Sequence, residues 1–312
     1  MAVAHYGSYD RSASRRGLIN KRLGQVVLFV VLAAFSFAIL FPFYWVIRTA
    51  LTDPALVYTN IQSFTPVETT GVNFLRVLGA LDSQVLIDQG ATNISPGRLN
   101  FFLFMRNSFI VGLLTTLGQV FFSSTAAYAF ARLQFPGRNV IFGLYLAGLM
   151  IPGIVLFIPN YVLIQQLGWI NTFAGIIAPT FLMTPFAVFF MRQFFLGLNT
   201  SIEEAAVLDG ATKIGFFTRI ALPLIQGPAI TLSILTFITT WNQYLWPFVV
   251  GRNENVRMLT VALSIFRAQT PQGAPDWTGL MAAATISIVP SALIFIFFGR
   301  RVIDSIQFSG GK

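Results

Sequence analysis

Residues 201–212 read Ser201-Ile202-Glu203-Glu204-Ala205-Ala206-Val207-Leu208-Asp209-Gly210-Ala211-Thr212, and after seven intervening residues comes Ile220-Ala221-Leu222-Pro223. The stretch is a short polar island between long apolar runs. Ser201 and Glu204 have the spacing of a capping box, in which each side chain satisfies a free backbone N–H at a helix start. Gly210 suits the left-handed residue that ends such a helix. Thr212 is placed to cap a second short helix, and Pro223 to sit in the first turn of the next long one. The expected order is helix, turn, helix, then a return into an apolar segment.

Those apolar segments fix the class of protein. The 312 residues are 55% hydrophobic and 10% charged, with 33 Phe and a mean hydropathy of +0.72. Soluble domains carry roughly 25% charged residues. No Asp, Glu, Lys or Arg occurs between Arg22 and Arg48, Arg106 and Arg132, Arg138 and Arg192, Arg219 and Arg252, or Asp276 and Arg300. A membrane-spanning helix needs about 20 apolar residues. The run from Asn139 to Met191 is long enough for two spans and each of the others for one, so the sequence predicts an all-α polytopic membrane protein of six transmembrane helices.

The net charge of +9 does not indicate a nucleic-acid partner, because the basic residues are sorted by side. With the N-terminus inside, the cytoplasmic side receives 13 of the 20 Lys and Arg, among them Arg11, Arg132, Arg138, Arg192, Lys213 and Arg219. Orientation follows the basic residues, which predicts cytoplasmic N- and C-termini. The run from Val26 to Ile47 is too long for a signal-peptide core and reads as an uncleaved first span. The chain has no Cys, which removes disulfides, thiolate metal sites and cysteine nucleophiles. The lone His5 lies in a basic tail and suggests no metal site.

The expected organisation is a cytoplasmic tail over 1–22 and a six-helix membrane domain over 23–312. Within the domain lie an external loop at 51–100, the polar loop at 196–222 on the cytoplasmic side, and a second external loop at 251–278. The first span should kink at Pro42. Span three contains Pro152, Gly153 and Pro159, and span four Pro179 and Pro185. Such breaks are tolerated where protein or a water-lined cavity satisfies the freed carbonyls. Spans three and four are therefore candidates for the walls of a pathway, and equally readable as kinked packing helices. Span five is expected to run from Pro223 to about Val250.

Polar residues inside the spans are neutral. They include Tyr128, Gln165, Thr184, Asn242, Gln243 and Tyr244, the last three following Trp241. Ion-coupled carriers place ionisable groups within the membrane, whereas neutral hydrogen-bonding groups beside aromatics suit an uncharged polyhydroxylated solute. They also suit helix–helix contacts. Trp241-Asn242-Gln243-Tyr244 stands out, since an aromatic plane next to amides can hold a sugar ring.

The spacing EAA-x3-G-x9-I-x-LP, carried by Glu204, Ala205, Ala206, Gly210, Ile220 and Pro223, resembles the signature loop of bacterial ABC importer permeases. Ala127-Tyr128-Ala129-Phe130-Ala131-Arg132 running into Phe135-Pro136-Gly137 is similar to the carbohydrate-uptake, MalG-like branch. Trp241-Asn242 and Asp276-Trp277 fit the same pattern. The resemblance covers roughly residues 20–305 and implies the MetI-like permease fold. It also implies a second homologous permease, two ATPase subunits, an extracytoplasmic solute-binding protein, and residence in a bacterial or archaeal cytoplasmic membrane. ATP and Mg would be held by the ATPases. This sequence has no G-x-x-x-x-G-K-[ST] phosphate loop, and no cofactor is expected on it.

By that resemblance Ser201, Glu203, Glu204, Ala205, Ala206, Asp209, Gly210, Ile220 and Pro223 form the element that docks on the ATPase. On a helical projection Ile202, Ala205, Ala206 and Leu208 share one face, with Glu203 and Glu204 directed away toward basic groups of the partner. Asp209 falls on the apolar face and is expected to cap the second short helix. The end, Ser309-Gly310-Gly311-Lys312, matches the branch's tail only in part. The reading is a non-catalytic importer subunit for a sugar of the oligosaccharide or α-glucoside type. A glycerol-phosphate-type polyol is the alternative cargo, and an autonomous secondary carrier or channel the alternative of a different class.

Overall fold

The computed structural model describes residues 11–59, 62–88, 90–91, 94–95, 100–264, 266 and 274–307, with side chains between residues 22 and 300. His5, the Ser309–Lys312 end and the middle of the 251–278 loop lie outside the described residues. The regular structure of the described residues is helical. Helix α1 (Arg11–Ala50) contains Pro42 and continues past it. Two short helices follow, α2 (Val72–Val77) and α3 (Ser83–Asp88), and then the long α4 (Phe101–Arg132). The backbone is already helical at Arg11, so the expected boundary at residue 22 marks no break in it.

The next two spans are broken where the prolines fall. Helices α5 (Arg138–Ala147) and α6 (Phe157–Gln166) are joined by two single 3-10 turns around Pro152 and bend by 93°. Helices α7 (Phe173–Phe181) and α8 (Pro185–Leu196) bend by 46°. Pro185 occupies the first turn of α8, where its missing N–H has no helical partner to lose, and the Thr184 hydroxyl accepts from Ala187 N. The two breaks adjoin, since a Cβ on Gly148 would stand 3.3 Å from the Pro185 ring.

The polar loop holds α9 (Thr200–Leu208), α10 (Lys213–Phe216), a π-turn at Phe217–Ala221 and the short α11 (Leu222–Leu224). The chain then turns by 76° at Ile225 into α12 (Gln226–Trp241). Span five therefore begins at Gln226, and Pro223 lies before the bend rather than in the first turn of the span. Helix α12 ends at Trp241, and α13 (Leu245–Val250) and α14 (Leu259–Leu263) precede the last long helix, α15 (Trp277–Gln307). Three helices are long and apolar enough to cross a bilayer unbroken, and each bent pair supplies one more candidate, giving six.

Packing is organised around α4, which lies against α7, α8 and α12, while α15 packs against α12 and α1. The buried face of α4 is mostly small or polar, with Ser108, Gly112, Thr115, Thr116, Gly118, Ser123, Ser124 and Ala127, and Phe101, Phe104, Val111 and Tyr128 are its large buried apolar and aromatic side chains. Phe102, Phe109, Leu117 and Phe121 on the opposite face are exposed. In lipid, apolar bulk has no reason to turn inward, and small residues let backbones approach. Gly118 shows how closely: a Cβ there would lie 2.6 Å from the Phe181 carbonyl oxygen.

At the end of the bundle away from the polar loop, the described residues between 51 and 95 fold over the helix ends. The buried Asn73 amide donates to Ala50 O at 2.9 Å and Thr52 O at 2.8 Å. Arg76 of α2 forms a buried ion pair with Asp276, just before α15. Asp276 also accepts from Arg76 Nη2 at 3.0 Å, Ser95 N at 2.9 Å and Gly279 N at 2.9 Å. Tyr58 donates to the neighbouring Pro275 O at 2.8 Å. Burial first, and the Asp276 carboxylate second, raise the Tyr58 pKa above the usual phenol value.

Candidate functional site

Helix α9 starts one residue before Ser201. Asn199 is its cap, with Oδ1 accepting from Ser201 N at 3.1 Å. The expected Ser201–Glu204 box is therefore not formed: Ser201 is the second helical residue, and Glu204 lies two positions beyond the one from which a side chain reaches back to the cap. At the other end Ala211 N donates to Ala206 O and Gly210 N to Val207 O, with Gly210 at φ +80°. This is the Schellman pattern that a left-handed glycine permits. Thr212 caps α10, its hydroxyl accepting from Gly215 N at 3.1 Å. Asp209 does not take that part. It is the C-cap residue of α9, exposed, because the turn at Gly210 carries it away from the α10 start.

The helical face also divides differently from the projection. Ala206 is turned inward, sharing a core with Tyr128, Phe195, Phe216 and Phe217, and Ile220 packs against the same core. Ile202, Ala205, Val207 and Leu208 are exposed, Leu208 at 88%, and Ile214 on α10 at 76%. Glu204 is exposed beside them. Glu203 is not directed away: its carboxylate accepts from Arg132 Nη1 at 3.2 Å. A cleft of about 630 Å³ runs between α9 and the Gln134–Arg138 turn, lined by Arg132, Arg138, Glu203, Glu204, Val207 and Leu208.

The π-turn beyond α10 has a local cause. Pro223 has no N–H to offer the carbonyl of Arg219 one turn earlier, and the backbone widens just ahead of it. Pro223 itself is exposed.

The residues singled out along the spans do not form one group. Tyr128 is buried under the polar loop, its OH donating to Lys213 O at 3.3 Å and its ring centroid 5.0 Å from that of Phe217. It supports the loop and faces no open pathway in this chain. Trp241 is also buried, stacked on Phe237 with Nε1 donating to Ser287 O at 3.2 Å, so its plane is already occupied. The reason is helical register: Trp241 is the last residue of α12 and faces α15, whereas the chain leaves the helix at Asn242. Asn242 Nδ2 donates back to Ile238 O, Gln243 O accepts from Thr260 Oγ1, and the exposed Tyr244 stacks on Phe248. Gln165 is exposed on α6. Thr184 lies at the α7–α8 break and accepts from Gln119 Nε2 at 2.7 Å.

Two contacts are not given by the motifs. Arg132 ends α4 and is 8% exposed, and the Ala127–Arg132 motif that contains it does not indicate its partners. Arg76 and Asp276 are 200 positions apart, and no local pattern pairs them. The one signal is Asp276 itself, an acid directly before an apolar run.

The profile of the family described as "Binding-protein-dependent transport system inner membrane component" matches residues 119–307, more than half of the chain. The Bacillus subtilis arabinooligosaccharides transport system permease protein AraQ is 34% identical over 232 residues, 74% of this chain and 81% of the relative. The probable ABC transporter permease protein YurM of the same organism is 30% identical over 285 residues, covering 91% and 87%. The sn-glycerol-3-phosphate transport system permease protein UgpE of Salmonella typhi is 30% identical over 293 residues, covering 92% and 99%. A chain from the crystal structure of a bacterial ABC transporter that imports the acidic polysaccharide alginate superposes with a TM-score of 0.70. At 23% identity, covering 95% of this chain and 99% of that one, it attests the shared fold. The chain belongs to the family of binding-protein-dependent transport system inner membrane components and is a non-catalytic permease subunit of the ABC importer type.

Proposed function

We propose that this chain forms half of the translocation pathway of an ATP-driven importer for a sugar, with loop 196–222 as its attachment to a separate ATPase. The observation that carries the reading is the exposure of Ile202, Val207, Leu208 and Ile214 on two firmly capped short helices at the end of the bundle. An apolar tip of this kind, backed by a packed aromatic core, marks a protein contact. Glu204 beside it offers a carboxylate to a basic group of the partner. The basic bias places this end, with both termini, in the cytoplasm. The membrane is then the cytoplasmic membrane of a bacterium or archaeon, and the 51–100 and 251–278 loops meet an extracytoplasmic solute-binding protein.

The adjoining breaks of spans three and four supply the pathway wall. Non-helical backbone at membrane depth is stable against protein or a water-filled cavity, not against lipid. Met150, Ile151 and Leu182 around the breaks are nevertheless exposed in the single chain, so this patch would face a second permease across a water-filled route. Gln119, Thr184 and Gln165 on the neighbouring helices are neutral, which favours an uncharged polyol. The likeness to the glycerol-phosphate permease supports a second reading, in which the cation needed for a phosphate comes from the other permease. Affinity purification of the tagged chain from its native membrane in mild detergent tests the assembly. A second permease and a P-loop ATPase should co-purify. A chain that emerges alone and still moves solute in liposomes overturns the reading. Competition of uptake by oligosaccharides against glycerol phosphate separates the two cargoes.

A further inference from the structure

We propose that Arg132 is the positioning residue that fastens the ATPase-docking helix α9 to α4 and α8, so that the three move as one body toward the span-four break. The inference rests on the proposed coupling role of the loop. Arg132 sits where three elements meet. It is the last residue of α4. Its Nε and Nη2 donate to Phe195 O at 2.9 and 2.7 Å, and Nη2 also donates to Leu198 O. Phe195 and Leu198 flank the end of α8, where backbone carbonyls have lost their helical partners and a cation is favoured by the helix dipole. The remaining arm, Nη1, donates to Glu203 on α9.

A guanidinium offers five donors in a fixed fork, and here the fork is spread over two helices from the end of a third. Sliding α9 away from α8 would take the Glu203 carboxylate from a cation that is 8% exposed and held in place by the α8 carbonyls. A cation so placed is expensive to leave unsatisfied. The same α4–α8 contact is pinned again by Gln119 and Thr184, at the break where α8 begins. Gln119 and Arg132 are 13 residues apart on one continuous helix, about 20 Å, so a displacement of α9 arrives at Thr184 without an intervening soft joint. The opposite exit from the loop is different in kind. It passes through the π-turn and the 76° bend at Ile225 before reaching α12. Glu203 and Glu204 thus divide the work, Glu203 holding the chain's own arginine and Glu204 remaining for the partner.

The chain has no Cys, which allows a pair of spin labels at Thr200→Cys on α9 and Leu117→Cys on the exposed face of α4. Distances are read in the purified full assembly, without nucleotide and with ATP plus vanadate. The parent should give one narrow distribution that stays in place when nucleotide is added. Arg132→Gln should give a broadened distribution whose mean shifts with nucleotide, while the ATPase still co-purifies. Arg132→Lys should recover most of the narrow distribution, and Glu203→Gln, which keeps the carbonyl contacts, should broaden it less than Arg132→Gln. A narrow, nucleotide-independent distribution in Arg132→Gln, with the ATPase present, overturns the clamp and leaves the coupling role of the loop intact. Loss of the ATPase from the parent assembly overturns the coupling role instead. A residue that mattered for stability alone would lower the melting temperature without making the distance respond to nucleotide.

Discussion

The described residues contain two Arg–carboxylate pairs, one at each end of the bundle, and they are built to different specifications. At the outer end Arg76 and Asp276 are 3% and 0% exposed, and the carboxylate also takes two backbone N–H groups. At the loop end Arg132 and Glu203 are 8% and 31% exposed, and most of the arginine's hydrogen bonds go to carbonyls. The outer pair joins elements 200 positions apart and seals them. The loop pair joins α9, the proposed docking helix, to the end of α4 and leaves the carboxylate partly open to water. A surface that must stay closed over the helix ends favours the first design, and one that must accept a moving partner favours the second.

The largest effect expected on breaking this contrast is at the outer end. Asp276→Ala strands a buried guanidinium and two backbone donors, and removing one member of a buried pair costs about 3–5 kcal/mol. Thermal unfolding of the purified assembly and protease cutting within 51–100 should both register it. At the loop end Gly210→Val forces a β-branched residue into the left-handed region, at about 1–2 kcal/mol. Space is not the obstacle, because nothing lies within 4 Å of a Cβ there. ATP-driven uptake should fall to background while the chain remains in the membrane. Thr212→Ala removes the α10 cap, a loss of about 1 kcal/mol, readable as faster amide exchange across 213–216. Glu203→Gln is the mildest, below about 1 kcal/mol for a partly exposed pair. Its melting temperature should barely move, in contrast to Asp276→Ala, and an equal drop in the two variants would erase the distinction.

The same contrast separates what local sequence carries from what it does not. Caps, turns and breaks follow from neighbours along the chain, and Gly210, Thr212, Pro152 and Pro185 act where the sequence predicts. The capping box at Ser201 failed because Asn199, two residues earlier, is an equally good cap and starts the helix sooner. Which way a side chain faces depends on the opposing element. Ala206, Glu203, Tyr128 and Trp241 all turned toward other helices of the chain, and for Tyr128 and Trp241 this is the helix–helix contact that composition allowed alongside a solute contact. For long-range pairs such as Arg76 with Asp276, no local pattern names the partner.

The most direct measurement is proximity of the loop tip to an ATPase in the native membrane. The chain's lack of Cys lets Leu208→Cys on α9 and Leu75→Cys on α2, both exposed, carry the same thiol cross-linker in otherwise identical samples. A P-loop ATPase should be captured from position 208 and not from position 75. Failure at 208 with the assembly intact, or capture of the ATPase from 75, would contradict the assignment of loop 196–222 as the coupling element.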